Sequence, residues 1–208
     1  MDPNTFPTKG NLILAKNSLA LARQGYGLMD KKRNILIREL MTLIDQAKDI
    51  QSEIDVTFRE AYQALQKANI DLGINYVQEI SLLIPVETSI KIKTRSIMGT
   101  EIPLVQHDPA PVVPYYSFYN TSESLDIAKL KFEKVKELTI KLSMVENSAY
   151  RLASNIKKTQ KRANALKNIT IPTYEALTKN ISDALEEKDR EEFTRLKVIK
   201  RNKEKTNS

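Results

Sequence analysis

The chain has no cysteine, no tryptophan, five glycines and one histidine among 208 residues. Without cysteine there is no disulfide framework, no thiol nucleophile and no thiolate metal site. A lone histidine cannot build a histidine metal site, and the prolines around His107 predict a solvated loop position. Aromatics make up 6%, few for filling a globular core. No run of ~18 uninterrupted apolar residues occurs, so no membrane span is expected. Met1–Gly10 lacks a basic-then-apolar leader, and we expect a cytoplasmic protein with no direct membrane insertion. No Gly-rich phosphate loop of the Walker or dinucleotide kind is present. The carboxylates fall at helix positions read as solvated, the block Glu186–Glu192 included. We therefore expect no catalytic residue, no cofactor, no metal and no substrate pocket.

What the chain does have is a long heptad-like seam. Leu12, Ala15, Leu19, Ala22, Tyr26, Met29, Leu36, Leu40, Leu43, Ala47, Ile50 and Ile54 recur at steps of three and four. Steps averaging ~3.5 place them on one narrow stripe of a helix. With Phe58, Ala61, Leu65, Ala68 and Leu72 the pattern reaches Gly73, a helix of about 90 Å at 1.5 Å per residue. Ile50, Ile54 and Phe58 are two steps of four, a stutter that relaxes the supercoil. Gly25 and Gly27 are either tolerated weak points or marks of a close neighbour. Arg33 interrupts the seam and either snorkels or pairs with an acid on a partner helix. Thr8 can cap the helix start.

The partner seam runs through Leu125, Ala128, Phe132, Val135, Leu138 or Thr139, Leu142, Val145, Ala149, Leu152, Ile156, Thr159, Ala163 and Leu166, then Tyr174, Leu177, Ile181 and Leu185. Asn120 or Ser122 starts this helix, and Pro172 should kink it. Between the seams, Ile74–Ile84 reads as a short helix ended by Pro85. Thr88–Gln106 reads as a two-stranded hairpin, with Ile90 and Ile92 on one face and a turn at Met98–Gly99. Such a ribbon must lean on something apolar, and Ile74–Ile84 is the expected support. A Pro-rich loop follows. The fold class is therefore all-α: a long, left-handed, antiparallel two-helix coiled coil with a short β-hairpin and small helical insert at the turn-back end. The segments are 1–73, 74–121 and 122–208. Centring the turn near Gly99 pairs residues whose numbers sum to roughly 198.

Two stretches carry a resemblance. The first is Pro7-Thr8-Lys9-Gly10-Asn11-Leu12-Ile13-Leu14, continuing through Leu21-Ala22-Arg23-Gln24-Gly25-Tyr26 and Lys31-Lys32-Arg33 to Leu36-Ile37-Arg38-Glu39-Leu40. The second is Asn155-Ile156-Lys157-Lys158-Thr159-Gln160-Lys161-Arg162-Ala163-Asn164-Ala165-Leu166, then Ile171-Pro172, then Arg190-Glu191-Glu192-Phe193-Thr194-Arg195-Leu196-Lys197. Both resemble the D subunit of the V-type (archaeal/vacuolar) rotary ATPases, in its prokaryotic form. The resemblance implies a central-stalk rotor shaft without a catalytic residue, peripheral to the membrane. It implies as partners the F subunit, the catalytic A and non-catalytic B subunits of the ring, and the funnel-shaped d (or C) subunit above the membrane rotor ring.

On that basis Lys31, Lys32, Arg38, Lys157, Lys158, Lys161, Arg162 and Lys167 are expected to face acidic loops of the ring. The F subunit is expected on the lower coil, at Ile54, Phe58, Leu65, Phe132, Leu142 and Val145. The hairpin (Ile90, Ile92, Met98, Gly99) either caps the coil or modulates turnover. The rival reading is a basic coiled-coil adaptor for nucleic acid. Net charge +7 permits it, but the cations are mixed with acids and no reading module is present, so no nucleic acid partner is expected. A membrane-surface helix would need broad apolar faces in place of these narrow seams.

Overall fold

The computed structural model describes residues 6–107, 115–117, 119 and 121–206. The expected N-terminal arm before Phe6, most of the Pro-rich loop and Asn120 lie outside them. Helix α1 spans Lys9–Leu72 and α2 Ile74–Leu83. Strands β1 (Lys91–Ile97) and β2 (Thr100–Gln106) follow, then α3 (Glu123–Ala165). A π-helical turn over Leu166–Thr170 leads into α4 (Ile171–Thr206). The chain divides into two compact units, residues 1–34 with 157–208, and residues 35–156.

The first unit packs small residues of its helices against a few large ones. Ala15 packs with Leu177 and Ile181, supported by Leu12, Tyr174 and Leu185. Ala22, Thr159 and Ala163 are also buried. Such a seam lets two helices approach closely while burying little apolar area per turn. Thr8 precedes α1 and its Oγ1 accepts from Asn11 N at 3.2 Å, satisfying one free amide of the first turn. At Pro172 the irregularity takes the form of the π-turn: Ile171 N donates to Leu166 O, five residues back. Proline lacks a donor and crowds the carbonyl four residues earlier, and the wider turn just ahead of it absorbs both effects. A methyl group added at Gly25 would meet Leu166 Cδ1 at 3.8 Å, an ordinary contact, and at Gly27 it would meet nothing within 4 Å. Neither glycine is required by a close neighbour.

The second unit carries larger side chains. Leu36 and Leu152, both fully buried, meet Ile102 of the hairpin, with Leu40, Leu43, Ile97 and Ile156 around them. Burial of one such leucine contributes roughly 1.5–3 kcal/mol. Between Ile54 and Ala61 the buried position is Thr57, while Phe58 is half-buried. Burial therefore steps by three and then four, and the expected stutter is not visible in it. Helix pairing across the unit is marked by Lys131–Glu60, by Lys134–Glu53 at 3.5 Å and by Ser124 Oγ donating to Asp71 at 2.7 Å. In the first unit Arg23 meets Glu175 at 2.6 Å, a pair that matches the expected sum of 198. The pairs of the second unit fall short of that sum.

Gly73, at φ 88, separates α1 from α2, whose Val77 and Ile80 pack on Ala68 and Leu125. In the hairpin Lys91 pairs with Gln106 and Ile97 with Thr100. Both turn residues, Met98 (φ 49) and Gly99 (φ 74), have positive φ, the requirement of a two-residue type I′ turn. The hairpin does not lean on Ile74–Ile84. It lies on α3, where Ser148 Oγ donates to Pro103 O, Arg151 to Glu101 O and Asn155 to Thr100 Oγ1. Its anchors are Ile97 and Ile102, whereas Ile90 and Ile92 are exposed. Alternation along a ribbon defines two faces but not which one meets a helix.

Candidate partner-binding surfaces

The cationic surface is built around one half-buried polar contact. Arg33 Nη1 donates to Gln160 Oε1 at 2.8 Å, Nη2 pairs with Asp30 at 2.7 Å, and Nε is buried without a partner. The acid that Arg33 finds is thus on its own helix, and the group reaching it from the facing helix is an amide. This contact sets Lys31 and Lys32 within a turn of Arg33, and Lys157, Lys158, Lys161 and Arg162 within a turn of Gln160. All of these are exposed except Lys32, which is half-buried, and Lys167 is exposed further along. In the second unit Arg38 is exposed as well. Among the described residues none of these eight side chains enters an ion pair. Cations this exposed and unengaged keep their field available to a partner.

Three cations of the second unit, Lys131, Lys134 and Lys136, are paired with acids. Lys136 bridges Glu133 and Glu87, the latter at 2.7 Å. Hydrogen bonds from Lys136 and Ser89 hold the Glu87 carboxyl well below the usual carboxylate range. Although burial opposes the charged ammonium, Glu133 and Glu87 keep the Lys136 pKa raised. His107 lies 3.5 Å from Glu87, and its side chain is nearly enclosed. The solvated position expected for it is therefore corrected: packing of the strand end against α3 covers the ring. Lys131 lowers the pKa of Glu60 by hydrogen bonding and by its charge. Burial, with Asp126 as hydrogen-bond acceptor, pushes the Tyr116 hydroxyl up.

Above these pairs lies an aromatic step. Phe58 stacks on Tyr62 at 5.9 Å between ring centres, and Tyr62 meets Phe132 edge-on at 5.6 Å. Phe58, Leu65, Phe132 and Leu142 are half-buried, and Tyr62 and Leu130 are exposed. Ile54 and Val145 are instead buried in the helix seam. Heptad position selects them, and the same position that marks a residue as apolar turns it inward. Tyr62 and Leu130 lie off the seam pattern, so periodicity does not pick them out.

A groove of about 400 Å³ is lined by Leu65, Val77, Ile80, Leu125 and Phe132 among others. The expectation of no pocket-sized space is thus corrected, because α2 folds back beside α3 and leaves a furrow. The charged groups on it are two acids, Glu87 and Glu133, both bridged by Lys136, and Lys129, whose ammonium lies over the Tyr115 and Tyr116 rings. Among the described residues no cluster of three metal-ligating side chains exists, and no helix is long and apolar enough to cross a membrane.

Comparison with known proteins adds the family. A family model described as the ATP synthase D subunit matches residues 11–201. The V-type ATP synthase D subunit of Thermotoga neapolitana is 47% identical over 194 residues, covering 93% of this chain and 96% of the relative. The A-type ATP synthase D subunits of Thermococcus kodakarensis and Pyrococcus abyssi are 37% and 38% identical, covering 95% and 93% of this chain and 94% and 92% of the relatives.

Proposed function

From the premise that the chain belongs to the ATP synthase D subunit family, we propose that it is the central rotor shaft of a V-type ATPase or ATP synthase. It carries no active site. It couples ATP hydrolysis or synthesis in the A/B ring to ion movement through the membrane ring by turning. The supporting observation is the unbroken 64-residue helix α1. In each unit its inward face is joined to a helix from the distant half of the sequence. A torque element must resist bending and twisting. Paired helices do so with their backbone hydrogen bonds closed internally and no large core.

Lys31, Lys32, Arg38, Lys157, Lys158, Lys161, Arg162 and Lys167 face the ring and meet acidic loops through charge instead of locked contacts. That is the behaviour required of a surface that passes several unequal neighbours in turn. The F subunit sits on the aromatic step and its neighbours, at Phe58, Tyr62, Leu65, Leu130, Phe132 and Leu142. The funnel-shaped d (or C) subunit takes the end that carries α2. Mixing the tagged chain with the purified F subunit and a ring of A and B tests the reading. The chain should carry F into a complex with the ring, and failure to enter that complex overturns it.

A further inference from the structure

The two edges of the β-hairpin are not alike. Next to a two-residue turn the flanking pair, here Ile97 and Thr100, exchanges both ladder bonds, and bonded and non-bonded pairs alternate from there. Arg95 and Lys93 therefore spend their backbone groups on β2. Ile92, Thr94 and Ser96 turn theirs outward, as do Val105, Pro103 and Glu101 opposite them. The bonds to α3 agree with this register. Val105 N donates to Met144 Sδ at 3.3 Å, and Pro103 O and Glu101 O accept from Ser148 and Arg151. Proline at 103 also removes a donor from that edge. The β2 edge is thus closed by a helix and a proline, whereas the β1 edge has neither. The sheet has two strands, and from Lys91 to Ser96 every side chain of β1 is exposed. Among the described residues nothing meets the outward backbone groups of Ile92, Thr94 and Ser96.

The charge on this edge selects what can pair with it. Lys91, Lys93 and Arg95 share one face of β1, and the strand holds no acid. Among the described residues Lys93 and Arg95 enter no ion pair. A second copy of β1 would set these cations against one another, so self-pairing is disfavoured. A nucleic acid answers the charge but has no row of alternating amide donors and carbonyl acceptors. A protein strand with carboxylates at alternate positions answers both. Its backbone closes the open edge, its acids lie across from Lys93 and Arg95, and its other face can cover Ile92, which is 70% exposed. We propose that the outer edge of β1 takes up an extended acidic segment of another protein as a third strand. This goes beyond the shaft reading and does not depend on it.

The test uses the full chain, isotope-labelled, with a capped peptide of alternating glutamate and valine, read by amide hydrogen exchange and by chemical-shift titration. The amides of Ile92, Thr94 and Ser96 should exchange fast in the free chain and gain protection as the peptide saturates, while those of Lys93 and Arg95 are protected throughout. Thr94→Pro removes the central outward donor without breaking a ladder bond, and should weaken the peptide roughly tenfold with helix content retained. Lys93→Glu with Arg95→Glu should weaken it comparably at low salt, with the deficit shrinking as salt rises. A peptide with proline in place of each valine should not bind. Lack of a saturable shift at β1, or equal binding of the proline peptide, overturns the proposal and leaves Lys93 and Arg95 as charges that keep the edge from pairing. So does a duplex oligonucleotide that protects the three amides where the acidic peptide does not. None of these outcomes touches ring binding, so the shaft reading stands or falls separately.

Discussion

Residues 1–34 and 157–208 contain 20 Lys and Arg against 10 Asp and Glu, whereas residues 35–156 contain 13 against 16. The packing differs in parallel. The basic unit is closed by Ala15, Ala22, Thr159 and Ala163 with Leu177 and Ile181, the acidic one by Leu36, Leu152 and Ile102, by Ala61, Ala68 and Ala128, and by the aromatic step. Cations of the basic unit such as Lys157, Lys158, Lys161 and Arg162 stay unengaged, while Lys131, Lys134 and Lys136 of the acidic unit are paired. One sequence thus builds a net basic unit with a run of unpaired exposed cations near Arg33 and Gln160, and a net acidic unit in which Lys131, Lys134 and Lys136 are paired across or along its helices.

The contrast can be broken or sharpened by substitution. The largest effect is expected at Leu152, which is fully enclosed. Leu152→Ala should destabilise the chain by about 2–5 kcal/mol in urea unfolding, whereas Leu21→Ala, at an exposed leucine of the basic unit, should cost under about 0.5 kcal/mol. Equal costs would erase the packing difference. Next in size, Lys161→Glu with Arg162→Glu should weaken ring binding about tenfold, on the order of 1.4 kcal/mol, and leave F binding intact. Unchanged ring affinity and turnover at moderate salt would end the sliding-charge account.

A smaller effect concerns acid. The folded pKa of Glu87 is lowered by Lys136 and Ser89, so its contribution is present above the ordinary carboxylate range near 4.3 and is lost as pH falls below it. The protection of β1 and β2 amides against hydrogen exchange, relative to their intrinsic rates, should therefore fall below about pH 4.3. Glu87→Gln should remove that dependence, and a persisting acid limb would reassign it. Smallest of all, Met98→Asn should stabilise the turn by under about 1 kcal/mol, because asparagine accepts positive φ more readily than methionine. A loss of stability would show that Met98 has a packing role.

Much of the architecture is legible in the sequence because it is periodic. Spacing alone places Ala15, Leu36, Leu152 and Leu177 on the seam, and all four are buried. Long-range docking is not legible. The alternation of Ile90 and Ile92 marks a ribbon, but only tertiary contacts decide that Ile97 and Ile102 face α3. Pro172 announces a disturbance without revealing that a π-turn carries the helix through it. The eight cations stand out by their place on the terminal halves of the helices, and the structure leaves all but Lys32 exposed. Ile54 and Val145 fail as surface candidates because apolar periodicity reports burial between helices before it reports a partner.

The most direct test attaches a probe to the chain and watches for motion. The chain has no cysteine, so Lys93→Cys on the exposed strand β1 supplies a unique attachment point. In a complex with F and a surface-fixed A/B ring, the account predicts that a gold particle there turns in one direction while ATP is present and stops when it is consumed. A particle that stays still while the ring hydrolyses ATP would contradict it.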